Sequence, residues 1–336
     1  MDLPMSHVAI TKIKKGEDTM KKLIKTFAAG LLLGGLVVPG LHAQGEFEGE
    51  TVTVGVASEY EEEVWKDVAS RAAEEGITID LVLFNDYVQP NVALADGSLD
   101  LNAFQHVEFL NDWNQSNDGD LQPIGFTYVA PLKLYSEKIQ SLDELAEGDT
   151  IAIPNDPTNG GRALLALEQA GVIEVADEAG ILPTVADVTK NDLNLEFEEL
   201  EAGQLASSLP DVTVAAINNN FANDAGLTDD QSIFSDAEDI TQLPESYKNV
   251  IATRGDAINN PLYLHIVELY QTQETVDKLN EVSKGSDVPA WSDEDPLPLE
   301  LSNEATEEAS DEEATEESEA EVAEEESEEA EATSAE

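Results

Sequence analysis

Apolar positions recur between residues 51 and 292 in two alternating rhythms, and the alternation predicts the fold class. Thr51–Ala57 (TVTVGVA) sets Val52, Val54 and Val56 on one face with period two, the pattern of a half-buried strand. Glu61–Glu75 then carries Val64, Trp65, Val68, Ala69 and Ala72 at helical spacing before Gly76 ends it. Ile77–Phe84 returns to period two through Ile77, Ile79, Leu81 and Leu83. Further strands are expected at Pro123–Val129, Thr150–Ile153, Leu193–Phe197, Val212–Ile217 and Asn249–Thr253. Helices are expected at Val107–Asn114, Arg162–Ala170, Pro261–Tyr270 and Glu274–Ser283, and Ser141–Glu144 has the form of a capping-box start for one more. Strands alternating with helices imply α/β sheets with helices on their faces. The length suits one large domain or two lobes of ordinary size, and periodicity does not decide between them.

Both ends break the rhythm. Residues 1–19 precede a second methionine and read as an over-called start. Residues 20–43 combine a basic start (Met20–Lys25), an apolar run (Phe27–Val38) and a small residue, Ala43, which together describe a secretory signal. The run is short for a membrane span, which needs roughly 20 apolar residues. Export to an extracytoplasmic location is therefore expected. Residues 293–336 hold 21 acidic residues and no Lys or Arg, a composition that predicts a disordered acidic tail.

Charge and cysteine content narrow the function. Residues 51–292 carry 45 acidic and 10 basic residues, a net of −35 (10 − 45), which argues against a nucleic-acid partner. The chain has no cysteine, so there is no disulfide framework, thiol nucleophile or thiolate metal site, and stability must come from the core. His106 and His265 are the two histidines of residues 51–292, far apart in sequence, and His265 in PLYLHIVELY reads as a packed helix residue. No H-E-x-x-H, G-x-S-x-G or Walker pattern is present, so no catalytic residue, metal or cofactor is expected.

Three polar clusters follow apolar runs, where α/β folds place their ligands. They are FNDYVQPN (84–91), NAFQH (102–106) and NDPTNGGR (155–162). The first would serve equally as a turn and helix cap. In the third, two glycines, a helix beginning near Arg162 and the arginine fork would suit a carboxylate. A salt bridge to one of many nearby acids is the plainer reading of the same arginine.

These clusters, with SLDELAEGDTIAIPNDPTNGGRALLAL (141–167), GILPTVADVTKNDLNLEFEELEAGQLASSL (180–209), AAINNNFANDAGL (215–227) and YKNVIATR (247–254), resemble the methionine-binding lipoprotein family. Those proteins are the substrate-binding components of methionine ABC importers, and the resemblance spans residues 51–285. It implies a two-lobed periplasmic binding protein of type II, with lobe 1 formed by 51–130 plus 248–290, lobe 2 by 131–247, and a ligand cleft between them. Arg162 and Asn218 would hold the carboxylate and amino ends of the ligand, Asn249 its backbone, and Tyr87, Phe104 and His106 its side chain. The implied partners are L- or D-methionine, a permease and its ATPase, with the receptor a monomer and not an enzyme. Rival readings are a receptor for another small amino acid or a methionine-containing dipeptide, a carboxylate-based hydrolase, and a surface protein whose tail does the main work.

Three positions depart from the family. Phe109 stands where a tyrosine is common, Gly160 where a larger apolar residue is common, and Gln44 where the lipidated cysteine of a lipobox belongs. Without that cysteine the family's lipid anchor cannot form.

Overall fold

The computed structural model describes residues 45–237 and 239–301. The expected start, signal segment and most of the acidic tail lie outside the described residues. The chain begins with β1 (Thr51–Val56), α1 (Glu59–Glu74), β2 (Thr78–Leu83), α2 (Gln89–Ala95), β3 (Leu101–His106), α3 (Val107–Asn117), β4 (Leu121–Phe126) and β5 (Tyr128–Val129). It then runs through β6 (Leu132–Tyr135), β7 (Thr150–Pro154), α4 (Pro157–Gln169), β8 (Glu174–Val175), β9 (Val188–Lys190) and β10 (Glu196–Leu200). After α5 (Leu205–Ser208), β11 (Val214–Asn218), α6 (Asn219–Asp224) and β12 (Ser232–Ser235), it continues as β13 (Asn249–Arg254), α7 (Pro261–Tyr270), α8 (Gln273–Ser283) and β14 (Val288–Pro289).

Two five-stranded sheets result, ordered β2-β1-β3-β13-β4 and β10-β7-β11-β6-β12. In the first, β1 pairs in parallel with β2 and β3, while β13 runs antiparallel to β3 and β4. In the second, β7 pairs in parallel with β10 and β11, while β6 is antiparallel to β11 and β12. The chain leaves the first sheet near Ala130 and rejoins it at Asn249, so two segments connect the sheets.

Period-two patterning explains the first layer. Val52, Val54 and Val56 are fully buried and share a core with Val64, Trp65 and Val68 of α1. The Trp65 and Tyr270 rings meet at 5.1 Å, joining α1 to α7. In the second layer Leu132, Leu134, Ile151 and Ile153 pack against Leu164 and Leu167 of α4. A third cluster joins residues attached to both sheets: Tyr87, Phe104 and Phe109 from one, Ile217 and Phe221 from the other.

Several expectations change. Helix α4 begins at Pro157, with Asp156 as its cap accepting the N–H of Asn159, so Arg162 lies inside the helix rather than at its start. Asp-Pro is itself a helix-start signal, with Pro tolerated at the first position. Gly160 and Gly161 are likewise helical and do not open a ligand loop. A Cβ on Gly160 would sit 2.7 Å from the Pro154 carbonyl oxygen, so the glycine lets α4 close onto the end of β7. The stretch expected as one strand at Pro123–Val129 divides into β4 and β5, and Ser141 caps a short 3-10 turn at Leu142–Glu144 instead of a full helix. His265 is only partly buried and bonds Glu75 through Nε2 at 2.7 Å and Glu268 through Nδ1 at 3.0 Å. The stretch expected to open the acidic tail at Asp293 is packed at Leu299, which is buried and whose N–H donates to Ile124 O at 3.1 Å. Leu299, with Leu301 partly buried beside it, packs into the core there despite the local charge.

Glu61, in the first turn of α1, is 2% exposed and accepts hydrogen bonds from Ala57 N–H at 2.9 Å and the Tyr128 hydroxyl at 2.7 Å. Burial, against those bonds, pushes its carboxyl up from 4.5 to about 8. Folding therefore holds a proton on Glu61. Its stabilising contribution is full below the unfolded value of 4.5 and fades as pH rises through about 8. Glu61→Gln keeps the size and the acceptor but cannot ionise. Its melting temperature relative to the parent should rise between pH 5 and about 8; parallel melting curves across that window would show that no proton is held. Gly160→Ala should lower unfolding stability by about 1–3 kcal/mol through overpacking. Unchanged denaturant midpoints would contradict the close contact with Pro154.

Candidate functional site

The parallel strands deliver their C-terminal ends to one region, and the antiparallel strand delivers its N-terminal end there. His106 ends β3, Asn218 ends β11, and Asn249 begins β13 directly opposite His106. Tyr87 follows β2, Phe104 lies within β3, and Arg162 projects from α4 after β7. These six residues line one cavity.

Arg162 is the buried cation of this cavity. Its Nε donates to Asp236 at 2.7 Å, and both side chains are nearly inaccessible. Its Nη2 donates to Ala130 O at 3.0 Å, and its Cζ lies 4.3 Å from the centre of the Tyr247 ring. Ala130 and Tyr247 belong to the two segments that connect the sheets, so the guanidinium is gripped at the crossover. The salt-bridge reading of Arg162 is thus correct for one nitrogen. Nη1 is the guanidinium nitrogen outside these contacts, and the residue still lines the cavity.

His106 is neutral. Its Nδ1 accepts the N–H of Phe109 at 3.1 Å, capping α3, which places the ring proton on Nε2, 3.4 Å from Asn159 Oδ1. Burial and the nearby Arg162 charge lower its pKa from 6.5 to about 3. Asn159 passes the orientation on: its Nδ2 donates to Asp156, and its Oδ1 accepts from Asn218 Nδ2 at 2.7 Å. This fixes Asn218 with Oδ1 buried and without a hydrogen-bond partner. Asn220 mirrors it, because Oδ1 accepts the Tyr87 hydroxyl at 2.7 Å while Nδ2 is buried without a partner. Asn249 Nδ2 donates to Tyr128 O at 3.2 Å.

One wall is aromatic. Tyr87 lies 5.7 Å from Phe104, 5.8 Å from Phe109 and 5.0 Å from Phe221, measured between ring centres. Phe109 supplies ring surface where a tyrosine would have added a hydroxyl. The cavity thus opposes a guanidinium, an open acceptor and an open donor to an apolar wall. Unsatisfied buried polar atoms are costly and rare, so two facing one cavity mark where a polar ligand belongs. Among the described residues, no group of histidines and carboxylates is arranged to hold a metal ion.

Sequence reasoning missed Asn159, Asn220, Asp236 and Tyr247. The run Asn218-Asn219-Asn220 straight after an apolar strand was a usable signal for Asn220. Asp236 had none, being one acid among many and 74 residues from Arg162.

Comparison with known proteins agrees with this architecture. The D-methionine-binding lipoprotein MetQ of Escherichia coli K12 is 41% identical over 272 residues, spanning 80% of this chain and 98% of that protein. Outer membrane lipoprotein 3 of Mannheimia haemolytica is 40% identical over 245 residues, 72% of this chain and 91% of that one. Among solved structures, the methionine binding protein MetQ superposes with a TM-score of 0.68 at 40% identity, over 72% of this chain and 99% of that one. A nutrient binding protein from Burkholderia cenocepacia bound to methionine gives 0.68 at 38% identity, over 71% and 100%. The profile of the NlpA lipoprotein family matches residues 52–291. With the two sheets, the cavity between them and these likenesses together, the chain belongs to the NlpA lipoprotein family and has its two-lobed periplasmic-binding-protein fold.

Proposed function

We propose that this protein is an extracytoplasmic receptor that captures methionine in the cleft and delivers it to the permease of an ATP-driven importer. The observation that carries the reading is the pairing of Asn218 Oδ1 and Asn220 Nδ2, both open, with a buried guanidinium and an aromatic wall. An amino-acid zwitterion with an apolar side chain matches that set. Its carboxylate would meet Arg162 and Asn220, its ammonium Asn218, and Asn249 would bound its backbone. Tyr87, Phe104, Phe109 and neutral His106 would surround the thioether, which packs well against ring edges. A cation at His106 would work against both Arg162 and an apolar side chain, so its depressed pKa fits the role.

Sheet membership supports lobes of 51–130 plus 248–290 and 131–247, with ligand contacts from both. The role is binding and delivery, with the receptor acting as a monomer toward permease and ATPase. The relatives are lipoproteins by name, whereas Gln44 removes the anchoring cysteine here. Release after Ala43 would leave a diffusible receptor outside the cytoplasm.

Calorimetric titration of ligand-stripped protein with L- and D-methionine is the direct test. Saturable heat from either enantiomer is expected; no heat at high protein concentration, or heat only from other amino acids, would remove the methionine assignment. Asn218→Ala should weaken binding by about 1–3 kcal/mol, the cost of leaving a buried partner unsatisfied, with little change in melting temperature. Arg162→Ala should lose about 2–5 kcal/mol of binding and also lower the melting temperature, because it strands buried Asp236. Wild-type affinity in Arg162→Ala would return the arginine to a purely structural role.

A further inference from the structure

The segment that ends β11 and forms α6 lines the cavity and also reaches across to the other lobe. Asn218 and Asn220 offer open amide atoms to the cavity, as described. Asn219, between them, also lines the cavity but turns its amide nitrogen to the other lobe. Its Nδ2 donates to Ser286 Oγ at 2.8 Å and to Asp287 Oδ1. Asp287 is fully buried just before β14 and also accepts the Tyr60 hydroxyl through Oδ2. At the far end of α6, the Asp224 carboxylate accepts the backbone N–H groups of Glu59 at 3.0 Å and Tyr60 at 2.9 Å. A lobe-2 carboxylate thereby satisfies free N–H groups at the start of α1, a favourable place for negative charge. Tyr60 is touched twice, by Asp287 at its hydroxyl and by Asp224 at its amide. Nothing in the ligand reading above uses Asn219, Asp224 or Asp287.

We propose that Asn219, Asp287 and Asp224 form a closure latch, positioning residues that hold the lobes together through the same segment whose amides face the ligand. The inference rests on the cleft being a ligand site. Neighbouring residues on one short segment share its backbone and shift with it. A ligand that fixes Asn218 and Asn220 therefore also fixes Asn219 against Asp287 and Asp224 against α1, and breaking the latch frees the ligand-facing amides. The latch acts on lifetime more than on encounter, because it is complete only when the lobes meet. Around Asp287 stand Tyr60 from α1, Tyr128 from β5, Lys133 and Tyr135 from β6, Tyr270 from α7, Ser286 beside it and Asn219 from α6.

The absence of cysteine makes the test direct, since two introduced thiols would be the only labelling sites. Glu74→Cys on α1 and Glu198→Cys on β10 are exposed and lie on opposite lobes. Spin-label distances across this pair report closure with or without ligand. Asn219→Asp sets two carboxylates face to face, and should lengthen the distance and speed L-methionine dissociation about tenfold or more, the size of one hydrogen bond to a charged group. The association rate should change far less. Adding Asp287→Asn to Asn219→Asp reverses donor and acceptor, and should restore both distance and dissociation rate. A merely structural pair would show no such rescue in dissociation at constant association rate. Should Asn219→Asp fail to fold, Asp224→Ala carries the same expectation of a longer distance and faster release. The latch is overturned if folded variants keep the parental distance and dissociation rate, or if the exchanged pair folds without restoring them. A parent that binds no methionine would sink the functional reading alone, because the label distances still decide the latch.

Discussion

The cleft depends on where one buried positive charge is held. Arg162 sits among Asp236, the carbonyl of Ala130 and the ring of Tyr247, with its side chain almost closed to water. A guanidinium so placed is tolerable only because each contact offsets part of its lost hydration. Those contacts come from different stretches: Asp236 follows the last strand of the second sheet, Ala130 marks the chain's departure from the first, and Tyr247 its return. Fixing the charge therefore fixes both crossings, and with them the cavity that the two lobes share.

Electrostatics at the site follow from that choice. Burial, with the positive charge beside it, keeps His106 neutral, and the helix cap made by its Nδ1 decides where the remaining proton sits. Asn159 then reads that proton on one side and Asn218 on the other, so the open oxygen of Asn218 is set by a chain of contacts beginning at Asp156. The amide and ring orientations at the cavity are thus fixed by the protein's own contacts.

The sequence made the layer pattern legible because Val52, Val54, Val56 and the α1 stripe follow simple periods. Strand ends identified the neighbourhood of the site, and the family resemblance named the six lining residues. What failed was local punctuation. Asp156-Pro157 starts α4, yet the two glycines drew attention further along, although they serve contacts with Pro154 and with Leu182. Leu299 sits in an acidic context but finds the core, because burial is decided by what the chain meets in space. The bonds of Asn219 to Ser286 and Asp287 lie 67 and 68 residues away in sequence, and no local rule reports such distances.

One feature of the core bears on temperature. The cluster of Tyr87, Phe104, Phe109, Ile217 and Phe221 continues from one lobe into the other, so separating the lobes wets ring and aliphatic surface that the closed form keeps dry. Exposing apolar surface raises heat capacity, and the drive to bury it fades on cooling. The open form therefore gains ground in the cold for reasons that lie in water, not in the ligand. A receptor built with this seam has a thermal response set by its aromatic residues as well as an affinity set by its polar ones.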